Sequence, residues 1–75
     1  MNRFELARYE AGLTIAQAAE KAALSIRTVR RAEDETTERP TAPTVKALAH
    51  TYKKPVAWLL GESDDARPTE QKAAA

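Results

Sequence analysis

The sequence predicts an all-α fold, on three observations. Helix-forming residues dominate its 75 positions, and the two glycines stand alone at 12 and 61, where helices would end. No stretch alternates polar and apolar residues long enough to make a strand. Residues suited to the N-cap position (Asn2, Thr14, Ser25, Thr41) each precede a segment of helical periodicity.

Taken in order, Asn2 with Glu5 three residues on reads as a capping pair opening the first helix, and Gly12 supplies a left-handed stop after "RYEA". Thr14 with Gln17 repeats the start signal at once, so only "GLT" separates the first helix from a second that runs through "IAQAAEKA". Ser25 caps a third, "IRTVRRAED", with Val29 and Ala32 on one stripe and the arginines elsewhere. About three residues join the second and third helices, which allows only a sharp bend.

The segment "TTERP" is a polar loop in which Pro40 turns Arg39 away from helix. Thr41 caps "APTVKALAHTY", where Val45, Leu48, Ala49 and Tyr52 recur at helical spacing. Pro55 is placed in the first turn of a last short helix, "VAWLL", which stops at Gly61. Residues 1–61 make one domain. From 62 to 75 the chain, "ESDDARPTEQKAAA", is polar and lacks an apolar face, so it reads as a disordered tail. The expected core is rich in alanine, with Phe4, Leu13, Leu24, Val29, Val45, Leu48, Val56 and Leu59 as its larger members.

Composition narrows the function classes. A chain of 75 residues supports one small core and at most one site. The absence of cysteine excludes disulfides and thiolate zinc sites and fits a reducing, cytoplasmic setting. "MNRFELARYE" lacks the apolar region of a signal peptide, and no window nears the roughly 20 apolar residues of a membrane span. The expectation is a soluble protein. Its net charge of +1 hides an asymmetry: residues 1–31 carry +3 and residues 32–75 carry −2. Positive potential is therefore local, as on a single nucleic-acid-binding face. His50 is the sole histidine and has no ligand-spaced neighbour. The carboxylates of "EDE" and "SDD" lack the paired, desolvated setting of acid–base chemistry. No enzyme, metal or cofactor is expected.

From Thr14 to Glu33 the chain resembles the helix-turn-helix of the Cro/phage-repressor group, also called the xenobiotic-response-element family. Ala19 sits where the second and third helices cross, and Ala18, Ala22, Leu24, Val29 and Ala32 fill the apolar positions. The likeness extends through "LARYEAGLT" before the unit and "RPTAPTVKALAHTYKKPVAWLLG" after it, covering about residues 3 to 61. It implies a compact five-helix lambda-repressor-like domain with helices 2 and 3 as the helix-turn-helix.

The resemblance also implies roles. Arg8 and Glu33 would form a structural ion pair fixing the third helix against the first. That third helix would enter the major groove of double-stranded DNA, with Ile26, Arg27 and Arg31 facing bases, since arginine can pair bidentately with guanine. Ser25, Thr28 and Arg30, with Gln17 and Lys21 on the preceding helix, would meet the backbone or flanking phosphates. Two positions depart from the family pattern: Ile15 replaces a frequent glutamine, and Ala23 replaces the usual turn glycine, at some strain if that position is left-handed. Ile15 and Ile26, both expected near the DNA face, either touch thymine methyls or mark a surface for a protein partner. Trp58, Leu59 and Leu60 read either as core or as part of a homodimer seam. The leading expectation is a small phage or bacterial repressor acting as a dimer on a pseudo-palindrome. Its rival is a protein-interaction module on the same fold, an antitoxin or anti-repressor.

Overall fold

The structure, a computed structural model, describes residues 2–34 and 40–67. These hold five helices: α1 (Arg3–Glu10), α2 (Ile15–Ala22), α3 (Ile26–Glu33), α4 (Ala42–Tyr52) and the single turn α5 (Val56–Leu59). The expected "TTERP" loop, Glu35 included, lies outside the described residues up to Pro40, and so do tail residues 68–75.

Local chemistry explains the helix starts. The Asn2 side-chain carbonyl accepts the Glu5 amide at 3.0 Å, whereas the Glu5 carboxylate turns forward to accept the Tyr9 hydroxyl at 3.2 Å, so only half of a capping box forms. α2 has the complete box: the Gln17 amide donates to the Thr14 hydroxyl at 3.1 Å and the Thr14 amide to the Gln17 side chain at 3.0 Å. Ser25 takes the Thr28 amide at 3.0 Å and begins α3. Thr41 departs from expectation. It occupies the N-cap of α4, but its hydroxyl donates to that of Thr44 at 3.2 Å and caps no amide. Pro55 departs as well: with φ −68° and ψ 148° it is extended and precedes α5 as its N-cap.

Helix ends use left-handed residues. Gly12 (φ +73°) closes α1, with the Leu13 amide reaching back to the Arg8 carbonyl at 3.2 Å, and Gly61 (φ +78°) closes α5 the same way onto Ala57. Ala23 is indeed left-handed at φ 58°, ψ 40°, and its Cβ costs about 1–2 kcal/mol there. Lys53 (φ 59°) is a second such position, which its residue type does not signal.

The core lies where α1, α3 and α5 pack around α4 and α2. Phe4, Val29, Val45, Leu48 and Leu59 are buried, with Leu13 and Leu24 half-buried against them. Ala7, Ala18, Ala19 and Ala32 are almost fully buried, and their small size lets α1, α2 and α3 approach closely. One core assignment fails: Val56 is exposed, and Tyr52 and Trp58 supply the bulk instead. Ile15, expected near the DNA face, is half-buried and packs against the core. Contacts cross the boundary drawn at residue 61. The Arg3 guanidinium donates to the Trp58 carbonyl at 3.0 Å and the Ser63 carbonyl at 2.7 Å and pairs with Asp64 at 2.8 Å, while Ala66 packs on the core. Among the described residues, no helix is long and apolar enough to cross a membrane.

Candidate nucleic-acid interface

α3 has two faces with opposite chemistry. Val29 and Ala32 are buried, while Ile26, Arg27, Arg30 and Arg31 are exposed within about 140° of arc at 100° per residue. This segregation is the amphipathic pattern of a helix docked by its back, with a basic front in solvent. Ile26, at 44% exposure, is one of few large apolar side chains left uncovered.

At its start, Ser25 is exposed and shares a hydrogen bond between hydroxyls with the half-buried Thr28 at 2.8 Å. The Thr28 amide is taken by Ser25, and the Ile26 and Arg27 amides have no partner among the described residues. Unpaired amides and the positive end of the helix dipole together favour an anion there. On α2, Gln17 and Lys21 are exposed, one turn apart on one face. Among the described residues Lys21, Arg27 and Arg30 form no ion pair. Their charge is available to a partner.

α3 is fixed from behind. Arg8 grips Glu33 through two hydrogen bonds, Nε to Oε2 at 2.7 Å and Nη2 to Oε1 at 3.1 Å, and a third goes to the Leu13 carbonyl at 3.0 Å. Both side chains of the pair are under 10% exposed. The hydrogen bond to Glu33 is the main cause holding the Arg8 guanidinium above its ordinary range, against the opposing effect of burial. Buried and bidentate, this pair differs in kind from a surface ion pair.

Two neighbours were not visible in the sequence. The Tyr52 hydroxyl is buried without a hydrogen-bond partner among the described residues. Burial pushes its pKa up to about 12, with Glu33 reinforcing and Arg8 opposing the shift. Asn2 donates its side-chain amide to the Ala32 carbonyl at 2.8 Å, a contact spanning 30 residues that no local pattern encodes.

The remaining candidates lie elsewhere. His50 is exposed in the last turn of α4, and no cluster of His, Asp or Glu among the described residues could hold a metal ion. Trp58 and Leu59 are buried within the chain itself, and Leu60 is half-buried beside a groove between α4 and α5.

Comparison with known proteins places this geometry. A family model described as helix-turn-helix matches residues 5–59, from α1 to the end of α5. No curated protein and no solved structure matches the chain. The chain thus belongs to the Cro/C1-type helix-turn-helix family, a DNA-binding family of transcription-regulator type, and its five helices are those of a lambda-repressor-like fold.

Proposed function

We propose that this protein is a small cytoplasmic repressor of phage or bacterial type that binds a pseudo-palindromic operator as a homodimer. The observation that carries the reading is the basic front of α3, opposite a back held by the buried Arg8–Glu33 pair. In this reading Ile26, Arg27 and Arg31 read base edges, while Ser25, Thr28, Arg30, Gln17 and Lys21 hold backbone or flanking phosphates. Half-site centres then lie about one helical turn, roughly 34 Å, apart.

Dimerisation runs through α5 and the segment before it. Because Trp58 and Leu59 are committed to the chain's own core, a second copy meets Val56 and Leu60. These line a groove of about 200 Å³ with Pro40, Ala42, Val45 and Lys46. A mainly apolar groove suits a protein contact.

Selection of binding sites from random duplex DNA at low salt tests the proposal. A consensus with two-fold symmetry is expected, with affinity falling steeply as salt rises. Enrichment of no sequence refutes it. The interaction-module reading keeps one supporting observation, the exposed Ile26 at the head of α3, since Ile15 is half-buried against the core.

A further inference from the structure

We infer that Asn2 is a positioning residue for DNA recognition: its side-chain amide anchors the C-terminal end of α3 and sets the angle at which that helix is presented. The inference rests on the DNA-binding reading above. Asn2 uses both ends of its side chain. The oxygen caps α1 by accepting the Glu5 amide at 3.0 Å, and the nitrogen donates to the Ala32 carbonyl at 2.8 Å.

The last four carbonyls of a helix have no partner within it. In α3 the Ala32 carbonyl is one of these, so the bond satisfies a group that would otherwise need water. The next residue, Glu33, is held by Arg8. Two consecutive residues at the end of α3 are thus fastened to points six residues apart along α1, a separation of roughly 9 Å at the helical rise.

Two fastenings do what one cannot. A single ion pair is a pivot, about which α3 could swing while keeping both hydrogen bonds. An eight-residue helix is about 12 Å long, so a tilt of about 10° at the pivot moves its first turn by about 2 Å. Productive geometry of a recognition group tolerates roughly 0.5 Å. With the second fastening at Ala32, about 4 Å from the pivot, the same tilt shifts that carbonyl by up to about 0.7 Å and so stretches and weakens the 2.8 Å hydrogen bond. The requirement is specific to an amide, which carries its acceptor and its donor on separate atoms: serine at this position can cap α1, but its one hydroxyl is a bond shorter and cannot at the same time reach the Ala32 carbonyl, and aspartate can cap α1 but turns an acceptor toward that carbonyl.

The test uses the full chain as wild type, Asn2→Ser and Asn2→Asp. Each is titrated by fluorescence anisotropy against the selected duplex and a scrambled one at a single salt concentration. Thermal midpoints and amide hydrogen exchange of Arg30 to Glu33 are measured in parallel. Both variants keep the α1 cap, so their midpoints are expected to fall only by the few degrees that one lost hydrogen bond costs. The ratio of selected to scrambled affinity is expected to fall about three- to tenfold, with scrambled affinity unchanged in Asn2→Ser and exchange in the last turn of α3 faster. An unchanged ratio in both variants overturns the inference, as does a fall no larger than the loss of folded protein explains. Should wild type prefer no sequence, the DNA reading fails by itself. Exchange then decides the anchor: unaltered protection in both variants refutes it, and faster exchange keeps Asn2 as the residue orienting α3.

Discussion

Removing one partner of the Arg8–Glu33 pair should remove a large part of the stability of the domain. Both side chains are under 10% exposed and joined by two hydrogen bonds, so either residue alone would be a buried charge with little to compensate it. Such a loss costs about 3–5 kcal/mol. At roughly 0.05–0.15 kcal/mol per residue, a chain of this length has about 4–11 kcal/mol in total. Glu33→Leu and Arg8→Met should therefore each lower the urea midpoint by about a quarter or more. The double variant should recover most of the loss, because two apolar side chains of similar size leave no charge behind. It should remain about 1 kcal/mol below wild type through the lost Arg8 bond to the Leu13 carbonyl at 3.0 Å. Urea titration by circular dichroism gives all four corners of the cycle. Two outcomes sink the argument: a cost of less than about 1 kcal/mol for Glu33→Leu, which is the value of an exposed pair, or simple addition of the two losses in the double variant. Arg8 stays charged across the accessible pH range, so substitution is the route to this measurement.

Other expectations concern single positions. Tyr52 has a folded-state pKa raised from 10.0 to about 12, so the unfolded chain releases the proton first. Its contribution is complete below pH 10 and is lost as pH rises to about 12, of order 2–3 kcal/mol. Tyr52→Phe should flatten this alkaline limb in urea titrations and, by deleting an unpaired buried hydroxyl, leave neutral stability equal or higher; an unchanged limb refutes the assignment. Ala23→Gly should relieve the left-handed strain and, after the greater entropy of an unfolded glycine is offset, raise stability by about 0.5–1 kcal/mol, read as a higher thermal midpoint. Arg27→Ala should cost about 1–3 kcal/mol of discrimination at particular base pairs. Lys21→Ala should instead lower the slope of log affinity against log salt by about 1; uniform weakening by Arg27→Ala would mean that this arginine meets only phosphate.

Features encoded by short-range pattern were legible in the sequence. Thr14 with Gln17 and the Ser25 start each need only neighbours three residues away, and Gly12 and Gly61 stop helices by backbone freedom that no other residue shares. The resemblance to a family also placed the arginines of α3 on one helix and paired Arg8 with Glu33. Long-range geometry escaped. Whether Val56 or Trp58 faced inward on a one-turn helix could not be decided by periodicity, because four residues barely define a face. Pro55 suits either the cap or the first turn, and Lys53 takes a left-handed conformation normally left to glycine or asparagine. In the sequence Asn2 reads as an ordinary cap, and Arg3 carries no signal beyond its charge. Their partners lie 30 and more residues away, where only the folded backbone brings them.

Trp58 has a spectroscopic consequence. It is the sole tryptophan, 7% exposed, with the Arg3 guanidinium and the Lys54 ammonium each 4.9 Å from its ring centroid. Excited near 295 nm, the chain emits from this one indole, buried at the junction of α1, α4 and α5 rather than on the basic front of α3. Emission from an unlabelled sample therefore follows the closing of the C-terminal end over α1, with no signal from the arginines that face solvent. A spectral change on adding DNA would report an altered setting of this junction, through α1, through α4 or through pairing of α5 with a second copy, which makes the intrinsic fluorescence an optical measure of events away from the basic front.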